Sequence, residues 1–273
     1  MLKQRILTAI ALLLVFSGAI FFFGEKGTNL LFSLGLFVAL RELFALTIKP
    51  EKTLGTIIAI LFAALFWIFN VKAGIGINLY LSFLGSLVWV GILCFMVRYQ
   101  FSGLWTIQTK WLHLLMGLVL LWICATGLLF VQRHFDDGGW ILLYTLTLIW
   151  VADIGAYFAG KRFGHNKLAP GISPGKTREG VMGGLVCNLV WMSSVFWLGG
   201  GWGIAFWQFI LIGSCASAIS VVGDLYESIL KREAGVKDSG TLLPGHGGVL
   251  DRIDGVIAAT PVYILGLYLV GAV

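Results

Sequence analysis

Apolar residues in this chain do not alternate with polar ones at the period of an amphipathic surface helix. They run on. Such runs extend over Ile6 to Phe23, Leu30 to Ile48, Leu54 to Phe69, Leu79 to Val97, Trp111 to Val131, Trp140 to Phe158, Val181 to Leu198, Ile204 to Val222 and Val256 to Val273. Most lie near the ~20 residues that a helix needs to cross a bilayer. The pattern predicts an all-α, polytopic integral membrane protein with about nine transmembrane helices. Several runs are short or carry charge, since Arg41, Glu42, Asp153 and Asp224 lie inside them or at their ends. The first run follows Lys3 and Arg5 as the core of a signal peptide would. Its length, the lack of an A-x-A-like site after it and the runs that follow make it a span instead.

Composition agrees. Of the 273 residues 59% are hydrophobic and only 12% charged, against roughly 25% charged in soluble domains, and the mean hydropathy is +0.94. Soluble classes are thereby excluded. The four cysteines, Cys94, Cys124, Cys187 and Cys215, all fall in apolar runs without C-x-x-C spacing, which reads as small embedded side chains rather than a disulfide or zinc set. The net charge of +6 is one-sided. With the N-terminus in the cytoplasm, the inner face receives Lys3, Arg5, Lys49, Lys52, Arg98, Lys110 and the cations of loops 159–180 and 230–250, whereas the outer face receives Lys26, Lys72 and Arg133.

The first of those loops, "WVADIGAYFAGKRFGHNKLAPGISPGKTREG", holds more than topogenic cations. Asp153, Tyr157 and Lys161 recur every fourth residue, on one helix face. A carboxylate at membrane depth is costly unless it is paired or functional, so Asp153 is a candidate for substrate contact or for pairing with a neighbouring helix. Beyond the helix, glycines, lysines and the hydroxyls of Ser173 and Thr177 have the makings of a phosphate-binding loop. It is not a P-loop, because the glycines of "GISPGKT" are one residue too close and no strand is predicted before them.

The second loop reads "GDLYESILKREAGVKDSGTLLPGHGGVLDRIDG" from Gly223. Asp224, Ser228 and Lys231 share helical spacing, and Asp251 and Asp254 stand three apart at the start of the last span. Pro244, Gly245, Gly247 and Gly248 around His246 predict a tight turn with exposed N–H groups. Oxygen ligands from two helices suit Mg²⁺ rather than zinc. Cations, N–H groups and a metal together describe a polyphosphate site.

The stretch Ser228-x-Leu230-Lys231-Arg232-x4-Lys237-Asp238-x-Gly240-x2-Leu243-Pro244-x-His246-Gly247-Gly248-Val249-x-Asp251-Arg252-Ile253-Asp254 resembles, without departure, the signature of the CDP-diacylglycerol synthases, also called phosphatidate cytidylyltransferases. The "SPGKTREG" loop resembles that family's Ser-Pro-x-Lys-Thr-x-Glu-Gly element. The resemblance implies one transmembrane catalytic domain over 1–273, with the site in 150–256. It implies that CTP and phosphatidic acid give CDP-diacylglycerol and pyrophosphate at the cytoplasmic side of a bacterial-type inner (plasma) membrane. Mg²⁺ would be the cofactor, with room for a second cation. Membrane lipid is the other partner, nucleic acid is not one, and a homodimer is compatible. Asp224 and Asp251 would bind the metal, and Asp254 would be a further ligand or a partner of Arg252. Lys231, Arg232, Lys237 and Arg252 would hold phosphates, with Asp224, Lys231, Asp251 and Arg252 as the catalytic set. Ser173, Lys176, Thr177, Ser228, Gly247, Gly248 and Asp153 would complete the substrate site. His246 would either hydrogen-bond its own turn or touch a substrate phosphate, and Glu179 and Glu227 would pair with nearby cations. Arg41 with Glu42 would be an intramembrane pair along the lipid path, or would mark where that helix leaves the bilayer.

Two other classes compete. Intramembrane Asp and Arg can mark an ion path in a transporter or channel, but the charges here gather at one face and no internal repeat is evident. Another CTP-using membrane lipid enzyme, such as a polyprenol-type kinase, would yield CDP rather than pyrophosphate. The D-G-x2-A-R pattern of CDP-alcohol phosphotransferases is absent, because "DGVIAAT" lacks the Ala-Arg pair.

Overall fold

A computed structural model of the chain describes residues 2–72, 75–99, 106–245 and 247–273. Its helices are α1 (Leu2–Ser17, continued by a π turn over Gly18–Phe22), α2 (Gly24–Leu46), α3 (Lys52–Lys72), α4 (Ile75–Arg98), α5 (Ile107–His134), α6 (Gly138–Phe163), α7 (Arg178–Gly199), α8 (Phe206–Glu233) and α9 (Leu250–Leu269). Between α6 and α7 stands a hairpin of β1 (Lys167–Ala169) and β2 (Ser173–Thr177). The strands are antiparallel, pairing Lys167 with Thr177 and Ala169 with Ser173. Every expected apolar run is therefore helical. Among the described residues, eight helices are long and apolar enough to cross a membrane, and the first run supplies only the shorter apolar helix Ile10–Phe22.

The ends of these helices are tied into two opposite layers. At one end Thr8 donates to the Pro244 carbonyl at 3.0 Å, Arg41 to Thr56 at 2.8 Å, and Tyr99 to Glu233. At the other, Arg133 pairs with Glu25 at 2.6 Å and bonds the Asn70 carbonyl, and Gln132 donates to the Ile20 carbonyl at 3.3 Å. Successive helices thus alternate in direction from α1 to α9. Tyr99 lies just past α4, and its phenol is pushed well above the usual tyrosine range, first by burial and then by the hydrogen bond and charge of Glu233.

Close backbone approach organises the half that carries the site. Helices in lipid associate through small residues because the surrounding tails are as apolar as the side chains themselves. Gly155, Ala156, Ala159 and Gly160 of α6 meet Gly180, Gly183 and Gly184 of α7, and a Cβ on Gly184 would stand 2.7 Å from the Ala152 carbonyl oxygen. Gly223 of α8 lies against the Asp254 backbone of α9 and would meet the Ala258 Cβ at 2.9 Å. α9 is the central rod, buried from Gly255 through Pro261, with Pro261 facing Gly85 of α4 and Thr260 facing Gly127 of α5.

α8 outlasts its apolar run. Hydropathy falls at Val222, yet the helix continues to Glu233, and only Gly235 at φ +74° turns the chain away. The Val236 N–H reaches the Lys231 carbonyl at 2.9 Å and that of Gly235 reaches Arg232 at 3.0 Å, the two bonds of a Schellman ending. Asp224, expected to close a span, instead sits about two and a half turns before the helix end.

Candidate active site

The two charged loops meet at one end of the bundle. "SPGKT" is strand β2, and Lys176 reaches from it to the Asp224 carboxylate of α8 in an ion pair. Thr177 is buried, and its hydroxyl caps α7 by accepting from the Gly180 N–H at 3.1 Å. Glu179 was expected to pair with a cation. Its carboxylate instead accepts from the His165 and Asn166 backbone at 3.2 and 3.1 Å and from the Asn166 side chain at 2.7 Å, pinning the hairpin to α7. Asp153 is exposed on α6, within electrostatic reach of Asp224, Lys176 and Arg252. Asp153 and Asp224 each lie on the order of 14–15 Å inside their helix ends at 1.5 Å per residue.

The second loop closes on Asp251. Its Oδ1 receives the Lys231 ammonium at 2.6 Å. Its Oδ2 accepts from the Gly248 N–H at 2.8 Å, the Ser239 N–H at 2.9 Å and the Ser239 hydroxyl at 3.0 Å. Lys231 also holds Glu227 at 2.7 Å, as expected of that carboxylate. Asp254 accepts from the Gly255 N–H at 2.7 Å, with Glu227 and Asp224 within electrostatic reach. Behind these carboxyls lies an apolar cavity of about 40 Å³ walled by Leu43, Trp89, Leu121, Tyr226 and Ile257. That is enough for a water or two beside Glu227 and Asp254.

The glycines answer to protein carboxylates. Gly247 has φ +82°, and a Cβ there would stand 2.6 Å from Asp251 Oδ2. A Cβ on Gly248 would meet the Ser239 hydroxyl and lie 2.5 Å from Glu42, and one on Gly240 would also lie 2.5 Å from Glu42. The turn expected to expose its N–H groups thus spends the one on Gly248 on Asp251, while the Leu243 N–H bonds the Gly247 carbonyl at 2.9 Å.

Lys176, Asp224, Asp153 and Arg252 form one group, and Lys231, Asp251, Gly247 and Gly248 a second, with Asp254 near Asp224. Ser173 is half-buried at the start of β2. Arg232 near the end of α8 and Lys237 just past it are exposed, Arg252 is exposed on the first turn of α9, and Ser228 is buried in α8. His246 lies outside the described residues. Sequence reasoning missed the work of Glu42. Arg41 and Glu42 do not pair: Arg41 bonds Thr56, while Glu42 accepts from Val249 and Leu250 N–H at 2.9 and 2.8 Å and from Ser239 at 3.0 Å.

The donor chemistry fits a hard divalent cation bound with its substrate. Among the described residues no three His, Cys, Asp or Glu side chains are gathered as ligands for a metal. Mg²⁺ in nucleotide sites asks only for one or two carboxylates, the rest coming from water and phosphate. Asp224 and Asp251 are carboxylates of that kind, and each holds a lysine ammonium.

The family model for cytidylyltransferases matches residues 3–270. A phosphatidate cytidylyltransferase of Pseudomonas aeruginosa is 38% identical over 279 residues, covering 99% of this chain and 98% of its own. One from Haemophilus influenzae is 38% identical over 287 residues, covering 96% and 97%. One from Staphylococcus saprophyticus is 41% identical over 135 residues, about half of each chain.

Proposed function

The chain belongs to the cytidylyltransferase family, and on that premise we propose that it transfers CMP from CTP to phosphatidic acid, releasing pyrophosphate and leaving CDP-diacylglycerol. A phosphatidate oxygen attacks the α-phosphorus of CTP, the bond from that phosphorus to the bridging oxygen breaks, and pyrophosphate leaves with the electron pair. The attacking oxygen is already ionised at neutral pH, so no strong base is required. Catalysis is then positioning and neutralisation of two anions brought together.

The observation that carries this reading is the pair of ion pairs, Lys176–Asp224 and Lys231–Asp251, at the end of the bundle where Arg232 and Lys237 are exposed. With a divalent cation and the triphosphate bound, Asp224 and Asp251 would hold the cation, and Lys176 and Lys231 would hold phosphates. Mg²⁺ bound there would supply charge neutralisation for the two anions. Arg252 and Asp153 line the same depth, and Arg232 and Lys237 draw anions to the entrance. The site and the N-terminus face the cytoplasm of a bacterial-type plasma membrane, where CTP is available, and the bacterial origin of the relatives supports that setting.

Purified protein given labelled CTP, phosphatidic acid and Mg²⁺ in detergent should form CDP-diacylglycerol and pyrophosphate in equal amounts. Formation of CDP with a phosphorylated lipid would instead mark a lipid kinase.

A further inference from the structure

We propose that Glu42 is a positioning residue for this reaction: from α2 it sets the start of α9 and, through Ser239, the carboxylate of Asp251. The inference rests on the nucleotidyl-transfer reading above. It assigns a part in the site to the first half of the chain, where no signature residue lies.

A buried carboxylate within an apolar helix must be compensated. Glu42 is 7% exposed, and Arg41 next to it is committed to Thr56. Its compensation comes from the Val249 and Leu250 N–H groups, 2.9 and 2.8 Å away. These belong to the open first turn of α9, where free N–H groups and the helix dipole favour an anion. Val249, the residue at the cap of α9, offers no side-chain cap of its own. A serine or aspartate in that position would cap α9 locally. A cap delivered from another helix does something more, because it fixes where α9 begins relative to α2. Gly240 and Gly248 complete the fit, since a Cβ on either would stand 2.5 Å from a Glu42 oxygen.

Ser239 extends the control to Asp251. Its hydroxyl oxygen lies 3.0 Å from Glu42 Oε2 and 3.0 Å from Asp251 Oδ2. A hydroxyl has one hydrogen to donate, so Ser239 serves one carboxylate at a time. It therefore links the two carboxylates, and its single hydrogen restrains Asp251 or Glu42 but not both at once. Glu42 lies behind the loop and acts through these neighbours.

The test compares Glu42→Gln, Ser239→Ala, the pair and Ser239→Thr with unaltered protein in detergent with Mg²⁺, CTP and phosphatidic acid. Glu42→Gln should lower kcat roughly tenfold or more while both KM values stay within about twofold. Ser239→Ala should lose less, Ser239→Thr should recover most of the rate, and the pair should be no worse than Glu42→Gln, since both act on one carboxylate. Near-normal kcat in folded Glu42→Gln, or losses that multiply in the pair, would overturn the proposal. If Glu42→Gln does not fold, Ser239→Ala decides, and unchanged kcat there overturns it. Failure of the functional reading shows separately, as no CDP-diacylglycerol from unaltered protein. Hydrogen exchange then tests positioning by itself. The amides of Gly248, Val249 and Leu250 should exchange faster in Glu42→Gln and in Ser239→Ala, and unchanged protection in both would refute the role.

Discussion

Two lysines at the site end of the bundle are each held by an aspartate, Lys176 by Asp224 and Lys231 by Asp251, and in the proposed reaction both would be released to the triphosphate. The pairs are not equivalent. The Asp224 side chain is 36% exposed with Lys176 as its partner, whereas that of Asp251 is 4% exposed and receives four donors. Replacing either by Asn removes the charge a cation needs, and each variant should lose on the order of 10²-fold in rate. Only Asp251→Asn should also lower thermal stability clearly, because it breaks a buried ion pair. On the proposal that both serve one cation, the double variant should be scarcely slower than the slower single one. Mg²⁺-dependent turnover with melting in detergent separates these outcomes, and cleanly multiplying losses would remove the shared cation. Lys176→Ala should raise the KM for CTP or phosphatidate roughly tenfold, the equivalent of about 1.4 kcal/mol. Unchanged kinetics would leave Lys176 a topogenic charge. Asp224, Lys176 and Asp251 were all legible as candidates from residue type and spacing. Glu42 was not, because neighbours on a helix do not face each other, and its true partners lie 197 to 208 residues further along the chain.

At the scale of elements, hydropathy located the helices well and their ends poorly. It senses the bilayer core, so it stops at Val222, while the good helix formers Leu230, Lys231 and Arg232 carry α8 on to Glu233. The same blindness hid strand β2, whose five residues have no apolar run to announce them. Glycine-rich segments were read as phosphate cradles, yet Gly247 and Gly248 make room for Asp251, Ser239 and Glu42. A sequence shows that a glycine is there and not what approaches it. The α6–α7 seam makes this testable. A Cβ at position 184 would press on the Ala152 carbonyl oxygen at 2.7 Å and the Ala156 Cβ at 3.3 Å. Gly184→Ala should cost about 1–3 kcal/mol of stability through overpacking. It should also slow turnover, because α7 begins directly after β2, the strand that carries Lys176. Unchanged melting and activity would show that the helices part there without strain.

The whole molecule sorts its charge by end. Thr8 near the start of α1, Glu42 late in α2, Tyr99 after α4 and Glu233 at the close of α8 all belong to the layer that holds Lys176, Lys231 and Asp251. Glu25, Asn70 and Arg133 belong to the opposite layer, where Arg133 is already neutralised by Glu25. Lys161, Arg162, Lys167, Arg178, Arg232 and Lys237 are exposed on the site side. Lysine and arginine are retained in the cytoplasm during insertion, so this layer should face inward. The same asymmetry suits the chemistry, because a substrate with several negative charges is drawn to a basic face. Helices that alternate from α1 to α9 then leave Val273 on the outer side, although α1 contributes only a short apolar stretch. Single cysteines placed at Gly171 and Thr241, in a background where Cys94, Cys124, Cys187 and Cys215 are replaced, should both react only when a membrane-impermeant maleimide reaches the cytoplasmic face. A cysteine appended after Val273 should react in intact cells. Labelling of positions 171 and 241 from opposite faces would contradict a single site built from both loops. An inward C-terminus, with positions 171 and 241 also inward, would show instead that α9 does not cross.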